Sequence, residues 1–552
     1  MNSLSELQPK TAPCAAACPA GVDVPRYMRQ IAQGRFSEAL ATIRERIPFP
    51  LVCGYACFHP CEAKCGRSQY EGPVAIRMLK RVAAELGTNA PAPAALPRTG
   101  SRVAVIGSGP CGLTAAYYLA LLGHDVAVLE ALNRSGGMLR YGIPEYRLPD
   151  VIVDADINLI EQCGVKILTG KRVESAEALL AQGYDAVFIA SGAWRATGMG
   201  IPGENGPGVI KGIAFLEAVN AGAPPEIGAK VIVVGGGDTA IDAARVSRRL
   251  GAEVVLVYRR TRAEMPANAE EVEAALEEGV TLEFLTAPLS IKRGLMRCTR
   301  MALGTADASG RPRPKAVAGS EFSIAANTVI LALGQGVEIP ATSVMREKTG
   351  VIRANRDTLA TSVKGIFAGG DAVTGPASII DAIAQGRRAG AAIDRYLGGS
   401  GDLARFAHAQ LFAKAHTPAA RGSARKRWPS IPVQARLGGF ALVEQAYSKE
   451  TAMQEAERCL SCDLFAYDVQ IDATRCKDCG YCKEVCAVDV FTRSEQFNAG
   501  GYRYYLAANT ENCVGCLRCL YICPDFAISI GESREVCRSS TDNLKLRPAA
   551  LT

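Results

Sequence analysis

Histidine is scarce in this sequence: only His59, His124, His408 and His416 occur in 552 residues. Four scattered imidazoles offer little basis for a histidine acid–base site. No stretch approaches the roughly 18–20 uninterrupted apolar residues of a membrane-spanning helix, so any membrane contact is expected to pass through a partner. Residues 1–10 (MNSLSELQPK) carry neither a basic start nor an apolar stretch, which argues against a secreted disulfide scaffold and predicts a reducing, cytoplasmic setting. A large charge of one sign is also missing. The 62 basic and 55 acidic residues leave a net +7, and no nucleic-acid partner is expected. The densest basic run, 421–427 (RGSARKR), reads as a solvated linker, with a docking patch for an acidic partner or nucleic acid as the weaker alternative.

What the sequence has in excess is cysteine, 20 in all, yet between residues 66 and 458 only Cys111, Cys163 and Cys298 occur. Thiols bunched at the two ends point to metal. The hydrophobic share of 48% excludes disorder for the bulk. At roughly 100–200 residues per domain, about three to five domains are expected.

The first 97 residues read as short helices around cysteines, ending in a helix over 74–86 and the linker APAPAALPRTG. After Ser101 the run VAVIGSGPCGLTAAYYLALLG followed by HDVAVLE gives a buried strand, a glycine turn, a helix and a second buried strand. That is half of a doubly wound nucleotide-binding domain. A second unit of this design starts at Lys230 (KVIVVGGGDTAIDAARVSRRLG) and ends its next strand at EVVLVYRR. The chain then returns through TVILALG and KGIFAGGDAV to a helix over 378–397, which implies that the second domain is inserted into the first. Residues 399–450 are long enough to wrap over the body, and a helix over 449–458 leads into a cysteine-rich block over 459–537.

That block contains C-x2-C-x2-C-x3-C twice: Cys476, Cys479, Cys482, Cys486, then Cys513, Cys516, Cys519, Cys523. Three thiolates two residues apart can curl around one cubane, while the fourth reaches the neighbouring cluster. The expected ligand sets are Cys476, Cys479, Cys482 with Cys523, and Cys513, Cys516, Cys519 with Cys486. Zinc, the alternative, normally uses well-separated pairs of ligands. Ala487 stands where a proline commonly follows the fourth cysteine, and Tyr502, Tyr504 and Tyr505 in the intervening insertion are expected to pack in strands.

In the first nucleotide site Gly107, Gly109 and Gly112 form G-x-G-x-x-G after an apolar strand, and Glu130 ends the next strand. The glycines let the backbone approach a pyrophosphate at a helix N-terminus, and the carboxylate suits ribose hydroxyls. The distant Gly369, Gly370 and Asp371 resemble the flavin-side motif of two-dinucleotide flavoproteins. Cys111, inside the turn, reads as a small packed residue. In the second site Gly235, Gly237 and Ala240 form the same turn, but the second strand ends in Tyr258, Arg259 and Arg260 in place of an acid. Two guanidiniums suit a 2′-phosphate, which favours NADP(H) over NAD(H).

These residues resemble the family of the glutamate synthase small (beta) subunit, shared with the flavin/iron–sulfur half of dihydropyrimidine dehydrogenase and the large subunit of NADH-dependent ferredoxin:NADP oxidoreductase. The resemblance rests on CAAACPAGVDVPRYM at 14–28, PFPLVCGYACFHPCEAKCGR at 48–67, GGMLRYGIPEYRLP at 136–149, GGGDTAIDAAR at 235–245, YRRTRAEMP at 258–266, GGDAVTGP at 369–376 and EAERCLSC at 455–462. It implies, within an α/β architecture, a helical iron–sulfur domain (1–97), an FAD-binding domain (98–228 and 330–398) and an inserted NAD(P)H-binding domain (229–329); composition and the cysteine repeat add a wrapping linker (399–465) and a two-[4Fe-4S] ferredoxin domain (466–537). It further implies that Gly137, Leu139 and Arg147 contact FAD, and that Asp238, Thr239, Arg259 and Arg260 contact NADPH.

Matching the motif places Cys18, Cys57, Cys61 and Cys65 on one cluster, with Cys57, Cys61 and Cys65 four apart on one helical face. Family members often carry a further C-x2-C upstream, but nothing precedes Cys14 here. Cys14, Cys53, Cys459 and Cys462 are left as spectator thiols or as a fourth cluster, if the linker brings them together. Cys163, Cys298 and Cys537 read as ordinary thiols.

The resulting expectation is an electron-transfer flavoprotein subunit with FAD, NADP(H) and three or four [4Fe-4S] clusters. It would exchange electrons with other subunits of an oxidoreductase complex or a ferredoxin, and flavin would carry the chemistry without a catalytic side chain. Direction stays open. A thioredoxin-reductase-like disulfide reductase would need a C-x-x-C in the inserted domain, which holds only Cys298. A non-catalytic relay is opposed by the intact glycines, Glu130 and the arginine pair.

Overall fold

A computed structural model describes residues 11–87, 93–292, 294–306, 310–407, 423–463, 467–486, 489–513, 515 and 517–532. The N-terminal part is helical. Asp23 caps the helix Val24–Ala32 by accepting from the Arg26 N–H, and Pro25 fits its first turn. The helices Pro50–Ala56 and Ile76–Leu86 approach closely because Gly54 has no side chain: a Cβ there would lie 2.6 Å from the Arg81 Cα.

Two parallel five-stranded sheets follow. In the first, the order is Ile366–Ala368, Ala186–Ile189, Arg102–Ile106, Asp125–Leu129, Lys166–Leu168. Its central strands are almost wholly buried, as apolar runs covered on both faces require. The second has the order Val209–Lys211, Thr328–Leu331, Lys230–Val234, Glu253–Val257, Thr281–Glu283. Its strands are bracketed in sequence by those of the first sheet.

Two sequence boundaries change here. The strand Thr328–Leu331 pairs with Lys230–Val234 and Val209–Lys211, so TVIL and residues 209–211 belong to the second sheet. The second unit therefore starts before 229 and runs past 329. A short apolar strand carries no label for the sheet it joins. Sequence reading also missed the antiparallel strands Thr286–Lys292, Leu295–Ala306, Pro312–Ala316 and Phe322–Ala325, whose irregular burial and bulges hide their period.

The segment 423–463 runs over the body. The Val443 N–H donates to the Tyr146 carbonyl, Arg436 pairs with Glu277, and Arg77 pairs with Glu444. Within the basic run, Arg425 pairs with Glu62, so this cation is a docking contact within the chain and not a solvated one. The C-terminal part pairs Tyr467–Ile471 with Ile528–Glu532 and Phe491–Phe497 with Arg503–Ala507. Tyr504 and Tyr505 lie on the latter strand, with Tyr505 buried, while Tyr502 precedes it and is exposed.

Candidate functional site: two nucleotide cavities and four thiol groups

The strand Arg102–Ile106 runs into Gly107, whose φ of +102° favours glycine, and then into Gly109, which caps the helix Pro110–Leu121. A Cβ on Gly112 would lie 2.1 Å from the Gly107 carbonyl oxygen, so the third glycine lets helix and turn touch. A Cβ on Gly109 would meet nothing within 4 Å: its backbone borders open space at the helix N-terminus. That space is a cavity of about 540 Å³ lined by Gly107, Gly109, Glu130, Gly137, Leu139, Gly370 and Asp371.

Glu130 is buried and fixed by Ser108, whose N–H donates at 2.9 Å and whose hydroxyl donates at 2.5 Å, and by the Leu132 N–H at 2.8 Å. Ser108 was missed by sequence reasoning, although its place between two motif glycines marks it. Burial raises the Asp371 carboxyl to about 6, opposed by the Ala377 N–H and reinforced by Asp381. Cys111 is buried and its Sγ lies against Gly369 and Gly370, in agreement with a packing role.

A second cavity, about 940 Å³, is lined by Gly235, Gly237, Asp238, Thr239, Tyr258, Arg259 and Arg260. Ala240 sits in its turn, 3.1 Å from a Cβ built on Gly235, and does not line the cavity. The two arginines differ. Arg259 is exposed, whereas Arg260 is 4% exposed and its Nε donates to the Pro312 carbonyl at 2.9 Å. Both cavities fall in the range of roughly 300–1,000 Å³ typical of ligand sites. They share Met138, Ile143, Asp371, Ala377 and Ile379 as a common wall.

Arg147 lines the second cavity and not the first. Its Nη1 lies 2.7 and 2.8 Å from the two oxygens of Asp242, and its Nε lies 3.1 Å from Glu271. The resemblance placed this residue on FAD; the structure places it in an ion pair between the two nucleotide units.

The cysteines fall into four groups. Burial raises the Cys482 thiol, and Cys476, Cys479 and Cys523 beside it raise it further. Cys486, Cys513 and Cys519 line one small cavity, and Cys516 lies outside the described residues. Cys486 and Cys523 cap the C-terminal ends of the helices Tyr481–Val485 and Arg518–Ile522, which carry each fourth thiol away from its own run. In each grouping the fourth thiol of one run lies with thiols of the other run.

At the N-terminus Cys65 of the expected set Cys18, Cys57, Cys61 and Cys65 lines a cavity that the other three do not line. The helix Pro50–Ala56 stops at Cys57, which is extended; His59 is left-handed with φ of 42°, and only Pro60–Ala63 is helical beyond it. Cys57, Cys61 and Cys65 therefore share no helical face. Cys57, Cys53, Cys61 and Cys18 act electrostatically on Lys80, which is buried. Burial would lower the Lys80 pKa, but these four thiols raise it. Cys65 lines its cavity with Cys14, Cys459 and Cys462. Cys163 and Cys298 stand apart from the four groups, with Cys163 donating to the Leu159 carbonyl, and Cys537 lies outside the described residues. His59 packs between Glu62 and Glu270, at 3.7 and 3.4 Å. Among the described residues no three His, Cys, Asp or Glu side chains converge on a single-ion site.

A dinucleotide flavoprotein fold flanked by thiol-rich modules is thus defined by geometry. The family described as pyridine nucleotide-disulphide oxidoreductase matches residues 101–386, dihydropyrimidine dehydrogenase domain II with a 4Fe-4S cluster matches 6–91, and the 4Fe-4S dicluster domain matches 475–527. The chain is 40% identical to the NADP(+)-dependent formate dehydrogenase subunit beta of Moorella thermoacetica over 82% of this chain and 70% of that protein. It is 39% identical to the NADPH-Fe(3+) oxidoreductase subunit beta of Geobacter sulfurreducens, covering 82% and 75%, and 32% identical to the glutamate synthase [NADPH] small chain of Azospirillum brasilense, covering 74% and 88%. The chain belongs to the pyridine nucleotide-disulphide oxidoreductase family, in the group of the glutamate synthase small subunit. It is an FAD-dependent, iron–sulfur NAD(P)H oxidoreductase. Among the described residues no helix is long and apolar enough to cross a membrane.

Proposed function

We propose that this chain is the electron-transfer flavoprotein subunit of a larger oxidoreductase, moving electrons between NADPH and a partner protein through its thiol-rich modules. The observation that carries the reading is the common wall of the two cavities, which would put a nicotinamide end against a flavin ring. Bound there, flavin would accept a hydride and release its electrons singly.

The chain's own part is binding and orientation. Gly107 and Gly109 bring backbone to the pyrophosphate of FAD, Glu130 offers its remaining lone pairs to ribose hydroxyls, and Gly137, Leu139, Gly370 and Asp371 border the same ligand. Gly235, Gly237, Asp238 and Thr239 play the matching part for the second dinucleotide. Arg259, exposed at its strand end, is the residue placed to meet a 2′-phosphate; Arg260 backs it from a buried position. The C-terminal module, with cysteines 476–486 and 513–523 on two clusters, is the docking point for a partner subunit or ferredoxin.

In the disulfide-reductase alternative the second domain would present a redox cysteine pair; Cys298 is buried and alone in that domain. The test is anaerobic addition of NADPH or NADH to the yellow protein. Bleaching supports the assignment, and failure with both nucleotides contradicts it.

A further inference from the structure

We propose that Cys14, Cys65, Cys459 and Cys462 hold a fourth [4Fe-4S] cluster, built from both ends of the chain. The inference rests on the iron–sulfur reading above and extends it to thiols that neither matched iron–sulfur domain contains: Cys459 and Cys462 lie beyond 6–91 and before 475–527.

Four observations carry it. The four thiols line one cavity, which contains no other cysteine. Its volume, about 20 Å³, equals that of the cavity between Cys486, Cys513 and Cys519, which lies inside the match to the 4Fe-4S dicluster domain. The C-x2-C pair is held there by buried charge. Arg458 and Glu455 are both 0% exposed; the Glu455 Oε1 accepts the Ala75 N–H at 2.9 Å, and Arg458 donates to the Gly72 carbonyl at 2.8 Å. On the other flank Asp463 receives Arg29 through both oxygens at 2.7 Å. Such burial of ions costs several kcal/mol unless the geometry is well paired, and here each side of the thiol pair is clamped to the N-terminal helices.

The place suits a relay. Cys65 leads into the turn Gly66–Gln69, and the hydroxyl of Tyr70 donates at 3.3 Å to the carbonyl of Gly515, inside the second ferredoxin run. The cluster would stand between the other N-terminal cluster and the C-terminal module. The C-x2-C pair Cys459 and Cys462 would take the place beside Cys14 that the family resemblance gives to an upstream C-x2-C.

The test is iron, acid-labile sulfide and FAD content of the anaerobically purified full chain, with electron paramagnetic resonance of the reduced protein. The wild type is expected to hold about 16 irons and 16 sulfides per chain, at four of each per cubane. Cys459→Ser with Cys462→Ser, and separately Cys14→Ser, are expected to lose about four irons each and one and the same resonance signal, at unchanged FAD. Wild-type iron near 12 with unchanged iron in the Cys459/Cys462 variant would overturn the fourth cluster. FAD content reports whether a variant is folded, and where the double variant loses it, the signal lost by Cys14→Ser decides. Flavin bleaching by NADPH is read separately, so failure of this proposal is distinguishable from failure of the functional reading.

Discussion

Arg29 and Asp463, 434 residues apart, form a two-contact ion pair with both distances at 2.7 Å, and both side chains are largely buried. It fastens the segment after the last linker helix, Lys449–Ala456, to the helix Val24–Ala32. Removing one partner of such a pair leaves an uncompensated charge, at a cost of about 3–5 kcal/mol. Asp463→Ala is therefore expected to accelerate amide hydrogen exchange across 449–463 while leaving FAD content intact. Unchanged exchange there would show that the pair does not hold the segment.

The two arginines of the second nucleotide site separate by burial. A charge-assisted hydrogen bond contributes about 1.5–3 kcal/mol, so Arg259→Ala is expected to raise the KM for NADPH by about 10- to 100-fold and that for NADH little. Arg260→Ala, which removes a buried donor to Pro312, is expected to lower thermal stability as well. Equal effects on the two nucleotides in the Arg259 variant would refute its role.

Arg147 offers a sharper contrast. Bound to Asp242 and Glu271, it ties the two nucleotide units together. Arg147→Met is expected to retain FAD and to slow flavin reduction by NADPH in stopped-flow measurements. Loss of FAD with an otherwise folded protein would restore the direct flavin contact that family resemblance implies.

Glu278 gives the pH dependence. Burial alone would raise its pKa, but the hydrogen bonds and charges of Arg245 and Arg249 hold it at about 2, below the usual 4.5. A depressed carboxylate contributes stability that is complete above about 4.5 and is lost as pH falls toward 2. Glu278→Gln is expected to cost about 3–5 kcal/mol, because two buried guanidiniums lose their counter-ion. The difference in Tm from wild type should be flat between pH 8 and about pH 5; a difference that shrinks across that range would contradict the assignment.

Lys80 is buried with Cys18, Cys53, Cys57 and Cys61 as its charged surroundings. A cation beside a cluster favours the reduced, more negative state. Lys80→Met is expected to lower the reduction potential of one cluster by roughly tens of millivolts in a redox titration, and an unmoved set of potentials would remove Lys80 from that role.

Much of the architecture was legible in the sequence because its signals are local. The strand, glycine turn and helix around Gly107 and Gly235, and the two cysteine runs after 475, place their residues by short-range spacing alone. What stayed hidden depends on contacts far apart in sequence. Thr328–Leu331 reads as an apolar strand for either sheet until its partners are known. Cys65 looks like the next turn after Cys61 until the left-handed His59 and the short helix Pro60–Ala63 show that no continuous helix joins them. The partnership of Cys14 with Cys459 and Cys462 is set by the buried Arg458 and Glu455, whose roles no spacing reveals.

The central claim, that reducing equivalents pass between a nicotinamide nucleotide and iron–sulfur clusters through flavin, is tested most directly by anaerobic titration with NADPH. Flavin absorbance and cluster resonances would be followed on the same sample. The account predicts loss of flavin absorbance followed by cluster signals, with the Arg259→Ala variant requiring more NADPH for both. Unchanged flavin absorbance with both NADPH and NADH, in protein that holds its FAD and iron, would contradict it.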